Sequence, residues 1–192
     1  MAELPPLPVD LPADTRAAIE RNTTARAHAD GHPRLAEVYA ALFHEAGLAE
    51  RVSALGEQLR FHGTLPDDLR ELVILRYAVR AGLGYEWSHH LRPAELAGID
   101  RAAVDALTEG AIPSGLADDR RAALLAVDAG VEGRSIPAVV QATVVAAHGT
   151  AGIVEVVGLC GLYALMGYVV TSFDLPLEDH LVPAPFSGPV PG

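Results

Sequence analysis

The chain has 192 residues, half of them apolar, and a formal net charge of −11 from 14 basic and 25 acidic side chains. That length supports one domain with a real core or two small packed repeats, and the apolar fraction excludes a disordered chain. The acidic balance removes any electrostatic drive towards nucleic acid or an anionic membrane, the absence of lysine excludes a lysine Schiff base, and the single cysteine, Cys160, excludes an intramolecular disulfide or a cysteine metal site within one chain.

Residues 1–13 are proline-rich and are expected to form an extended arm. They lack a basic region followed by an apolar stretch, so they do not read as a signal peptide, and a cytoplasmic protein is expected. Asp14 is placed to cap a helix running to about His28, which Asp30-Gly31-His32-Pro33 breaks. A second helix carries Leu35, Val38, Tyr39, Leu42 and Phe43 on one face and is expected to end at Gly47. A third, from about Ala49 to Phe61, turns Val52, Leu55 and Leu59 inward.

The run Thr64-Leu65-Pro66-Asp67-Asp68 has the marks of a helix start: a threonine cap, an early proline and an acidic first turn. The helix it opens, 67–81, is expected to bury Leu69, Leu72, Val73, Ile74, Leu75 and Ala78. Gly82-Leu83-Gly84 interrupts it, and a fresh helix runs from near Tyr85 to about Ala97. Asp100 caps a short helix to about Glu109, and further helices are expected at 117–129, 137–147 and 152–172. The last is almost wholly apolar, but Glu155 interrupts it, glycines dilute it and no basic residue flanks it, so it reads as a buried helix and not a membrane span. The tail, 175–192, is rich in proline and is expected to wrap a neighbour or fray. No strand pattern stands out. The expected fold is all-α, with about eight or nine helices forming one domain over 14–174.

Chemistry concentrates in Glu71 and in Tyr85-Glu86-Trp87-Ser88-His89-His90. Glu86 and His90 are four apart and share a helix face, whereas His89 points about 100° away and is expected on another face, such as a subunit contact. Glu71 lies in an otherwise apolar helix, where a buried carboxylate needs a partner. His90 is the candidate, and a Glu–His pair can move a proton at neutral pH. Tyr85 and Trp87 are candidates to wall a substrate. Glu86-Trp87-Ser88-His89 is also a Glu-x-x-His, but a di-iron bundle needs two such motifs and the chain has no second, so no metal is expected. His28, His32, His44, His62, His148 and His180 lack motif support, although His148 could approach the site from the second half of the chain. Glu155, inside an apolar run, is expected to meet an arginine.

Leu69-Arg70-Glu71-Leu72-Val73-Ile74-Leu75-Arg76, followed by Gly84-Tyr85-Glu86-Trp87-Ser88-His89-His90, resembles the core motif of the carboxymuconolactone decarboxylase family, which includes AhpD-like peroxidases. The resemblance covers residues 64–95 and implies an AhpD-like all-α fold and a homo-oligomer, a trimer or hexamer. In the peroxidase branch a Glu precedes a Cys-x-x-Cys pair, and a His follows the second Cys by four residues. Laid on that pattern, Glu71 and His90 match the Glu and the His, while Leu83 and Glu86 occupy the two cysteine positions. Neither has thiol chemistry, so the resemblance implies the non-redox branch: a cofactor-free acid–base enzyme, lyase or isomerase, acting on a small organic acid, lactone or polyketide-like ketone. Catalytic roles fall to Glu71, Glu86 and His90, and substrate contacts to Tyr85, Trp87 and His89. The alternatives are a carboxymuconolactone-type decarboxylase of aromatic catabolism and a non-catalytic family member.

Overall fold

The structure, a computed structural model, describes residues 4–30 and 34–192, the side chains of 25–30 excepted. His28 and His32 therefore lie outside the described side chains. Among the described residues there are eight helices: α1 (Ala13–Asp30), α2 (Glu37–Leu42), α3 (Ala46–Phe61), α4 (Asp67–Ala81), α5 (Gly84–Leu96), α6 (Arg101–Thr108), α7 (Asp118–Val131) and α8 (Ala138–Phe173). The fold is all-α among the described residues, as expected.

Helix α4 is the central element, packing on α5, α6, α7 and α8. Leu69, Leu72, Val73, Ile74, Leu75 and Ala78 are all buried, as its continuous apolar run demands. Two details of its start differ from expectation. The N-cap is Pro66, and Thr64 does not cap; its backbone N–H, with that of Leu65, donates to the Glu155 carboxylate at 2.8 and 3.1 Å. Glu155 thus meets backbone donors and not an arginine. At the other end Gly82 adopts φ 73°, ψ 28°, a left-handed cap that reverses the chain into α5. A side chain at Gly82 would also run into the tail, whose Pro189 N would lie 2.5 Å from a Cβ.

Buried arginines fix α4 to α7. Arg76 makes a two-pronged pair with Asp128, at 2.8 Å for both Nε and Nη2, and its Nη1 donates to the Gly110 carbonyl at 2.6 Å. Arg80 reaches Asp128 at 3.1 Å and Glu132 at 2.8 Å. A planar guanidinium suits such forked pairing, and each charge is matched where water is scarce.

Other boundaries moved. Gly47 does not end a helix; it sits in the first turn of α3, where Glu45 accepts from the Leu48 amide. Leu55, expected inward, is 45% exposed. The two helices expected at 137–147 and 152–172 are one element, broken only at Gly149, whose φ 69° and ψ 177° form a kink that side-chain-bearing residues avoid. The helix is long and apolar enough, by length and composition, to cross a membrane. It is also only partly buried: Val156, Leu159, Tyr163 and Met166 face the core, while Val139, Val154, Val157 and Tyr168 are exposed. The tail folds back on its own chain, with Ala184, Phe186 and Val190 packing against a second core of α4, α5, α6 and α7 residues and the Val190 amide donating to the Val79 carbonyl at 3.1 Å.

Candidate active site

The short reversal at Gly82 lays α5 against α4, and the helical register turns Glu86 and His90 inward with Glu71 opposite. All three are buried, Glu71 at 1% exposure and His90 at 4%. His90 Nδ1 lies 2.7 Å from Glu71 Oε2, and Arg70 Nε donates to Glu71 Oε1 at 3.2 Å. Burial would raise the Glu71 carboxyl, but the charge and hydrogen bond of His90, aided by Arg60 and Arg70, hold it below the usual carboxylate range. Glu71 is therefore ionised and accepts from the Nδ1–H.

The second ring nitrogen meets a residue from far along the chain. The Tyr163 hydroxyl of α8 lies 2.8 Å from His90 Nε2, with the rings edge-on at 89° and centroids 5.0 Å apart. With Nδ1 donating to Glu71, the Nε2 contact follows the charge of the ring: a neutral ring accepts from the Tyr163 hydroxyl there, and a protonated ring donates to its oxygen. A carboxylate, an imidazole and a phenol thus form one buried hydrogen-bonded line. It borders a cavity of about 30 Å³ lined by Tyr39, Arg60, Tyr85, Glu86, His89, His90, Tyr163 and apolar groups. That volume holds one or two waters and no organic substrate.

Beyond His89 lies a much larger space. A groove of about 920 Å³ runs between α5, residues 34–37 and tail residues 176–182, and Ala36 and His89 line both it and the small cavity. The partition is tied by Glu178, which accepts from the Tyr85 hydroxyl at 2.8 Å and the Glu37 amide at 3.0 Å and pairs with His89 Nε2 at 2.8 Å. Burial would raise the Glu178 carboxyl, but these partners bring it down to about 2. Burial, reinforced by the Glu178 charge, pushes the Tyr85 hydroxyl far above its ordinary value, so it stays a neutral donor.

Most of the remaining candidates are placed elsewhere. Trp87 does not line the cavity; its indole N–H donates to Thr108 Oγ1 at 3.2 Å and its ring meets Phe186 edge-on in the second core. His89 lines the small cavity as well as the groove, and its Nε2 meets Glu178 in the tail of its own chain. His148 pairs with Asp119 at 2.8 Å and does not reach the site. His44 meets the Pro5 carbonyl at 3.0 Å, and His62 is exposed beside Glu57. Burial pushes the Cys160 thiol up to about 12, so it is not a thiolate at neutral pH. No group of three or more His, Cys, Asp or Glu side chains among the described residues is placed to hold a metal ion. Sequence reasoning missed Tyr163, Arg60 and Glu178. For Tyr163 a signal existed: it falls on the inward stripe Val156, Leu159, Tyr163, Met166, where a phenol must find a polar partner.

These features define a thiol-free site of AhpD-like architecture. Residues 46–129 match the model of the Carboxymuconolactone decarboxylase family, and that stretch of the chain is similar to it. Among solved structures it is similar to the debrominase Bmp8, captured as a Cys→Ala variant with 2,3,4-tribromopyrrole, at TM-score 0.73 and 16% identity over 93% of this chain and 95% of that one. The apo form of Bmp8 aligns at TM-score 0.72, 16% identity, covering 88% and 90%. A protein of unknown function from Agrobacterium tumefaciens bearing an AhpD antioxidant-defence label aligns at TM-score 0.61, 19% identity, over 75% of this chain and all of that one. No curated protein sequence matches.

Proposed function

We propose that the chain is a cofactor-free acid–base enzyme, of lyase or isomerase type, acting on a small organic acid, lactone or polyketide-like ketone. The observation that supports it is the buried line Glu71–His90–Tyr163 ending at a polar cavity that Glu86 also lines. The chemistry follows from the donors. A substrate C–H beside a carbonyl loses its proton to the Tyr163 oxygen as Tyr163 passes its own proton to His90 Nε2, and Glu71 stabilises the imidazolium. Once Nε2 carries a proton it donates to the Tyr163 oxygen, which frees the phenolic O–H for the developing enolate oxygen. Glu86 handles the second proton transfer or a substrate hydroxyl. In decarboxylation CO2 leaves in place of the proton and the enolate carbon then takes a proton from the same His90–Tyr163 pair, so a carboxymuconolactone belongs in the same screen.

The test is turnover of ketone, lactone and lactone-acid libraries by wild type, His90→Gln and Tyr163→Phe. The reading requires at least one substrate whose turnover falls 100-fold or more in His90→Gln, in line with about 10²–10⁴ for a general acid–base. A second reading, a scaffold whose Glu–His pair is structural, draws on the small size of the cavity. It is favoured if no substrate emerges and His90→Gln changes stability alone. We also propose that the exposed Val154, Val157 and Tyr168 of α8 are covered by another copy of the chain, as a trimer or hexamer requires.

A further inference from the structure

The proposed chemistry poses a problem of size. A cavity of about 30 Å³ admits water, whereas small-molecule sites occupy about 300–1,000 Å³. The groove of about 920 Å³ beside it is of that size and shares Ala36 and His89 with the cavity. Its walls combine an apolar side, with Leu35, Leu91, Leu177 and Leu181, and two exposed guanidinium groups, Arg34 and Arg92. Neither arginine forms an ion pair with a described residue, whereas Arg70, Arg76, Arg80, Arg101, Arg120 and Arg134 are all engaged with carboxylates.

Resting on the acid–base reading, we propose that this groove binds the body of the substrate, that the substrate is an organic anion with an apolar body, and that its reacting end reaches His90 where His89 and Ala36 part. The groove is not attractive to anions by net charge, since Glu37, Glu178 and Asp179 also line it. What it offers is direction. Glu178 is already engaged by His89, Tyr85 and the Glu37 amide, so its lone pairs are committed inward. Arg34 and Arg92 remain as planar donors suited to a carboxylate. The Glu178 ties also give the partition a defined way to open. They join the Glu178 side chain to Tyr85 and His89 of α5 and to the Glu37 amide at the start of α2, and none of them is a hydrogen bond within a helix, so their release would free His89 with α5 intact.

Octanoate and octylammonium, which share an apolar chain and differ in the sign of the head, are suitable probes. Isothermal titration of the full chain is expected to give saturable octanoate binding and at least tenfold weaker octylammonium binding. Arg34→Gln/Arg92→Gln should weaken octanoate about tenfold. Both positions are exposed, so the fold is not at risk. Octanoate binding is read without turnover, which separates this assignment from the fate of the catalytic reading. A second arm tests the passage: ethoxycarbonylation of His90 by diethyl pyrocarbonate, read by mass spectrometry, should rise several-fold in Glu178→Gln while exposed His62 reacts as before. The assignment is overturned if octanoate does not bind at millimolar concentration, if both probes bind equally, if the double arginine variant binds as wild type, or if His90 labelling is unmoved by Glu178→Gln.

Discussion

Replacing Glu71 by alanine tests whether the site is held as a charged network. The side chain is 1% exposed and is hydrogen-bonded to His90 at 2.7 Å and to Arg70 at 3.2 Å. Removing it leaves the nearby buried Arg60 without the compensating charge that Glu71 supplies. Breaking one partner out of a buried charged pair costs about 3–5 kcal/mol, a large share of the roughly 5–15 kcal/mol that holds an ordinary domain together. For a chain of this size that corresponds to a melting-point drop of roughly 6–20 °C. Urea unfolding followed by circular dichroism measures it, with an unchanged slope showing that the two end states are comparable. The acid dependence has a defined sign. The folded Glu71 pKa is depressed, so its contribution is fully present above the ordinary value of 4.5 and is lost as pH falls through the lower folded value. Glu71→Gln should therefore lose less stability than Glu71→Ala at neutral pH and show a shallower decline below that value. The reasoning is refuted if Glu71→Ala lies within about 1 kcal/mol of wild type and its acid decline is unaltered.

Other outcomes follow from single features. Cys160→Ser should leave any peroxide consumption by the preparation unchanged, because the thiol titrates near 12; a peroxidase signal that vanished with the sulfur would show thiol chemistry after all. Gly149→Ala forces a Cβ onto φ 69°, ψ 177° and should lower stability by about 1–3 kcal/mol in denaturant titration. Glu155→Ala removes the acceptor from the Thr64 and Leu65 amides and should cost about 1–3 kcal/mol, seen also as faster amide exchange at those two residues. Val154→Arg/Val157→Arg places two charges on the exposed face of α8; light scattering after size exclusion should show a smaller assembly than wild type if copies meet there.

Much of α4 and α5 was legible because local rules and packing agree there. The apolar run of α4, its acidic first turn and the glycines that follow specify one helical hairpin, and the four-residue spacing of Glu86 and His90 puts both in its interior. What escaped was non-local. Tyr163 reaches His90 across 73 positions of sequence, and Glu178 reaches His89 across 89, so no window around the motif contains them. The tail looked like a fraying segment because prolines forbid a helix, yet they do not forbid an extended path whose Phe186 and Val190 find apolar cover. Trp87 was misjudged for the opposite reason: adjacency to Glu86 in sequence means, on a helix, a different direction, and its ring belongs to the second core.

Leu83 is seated against a bare stretch of α8: a Cβ at Gly167 would come within 2.6 Å of its Cδ2. The two positions are therefore coupled as knob and socket, and neither can change size alone without overpacking or a void. A cysteine at 83 would fill less of the space beside Gly167 than leucine does, so restoring sulfur at 83 and 86 alone would leave a gap against α8.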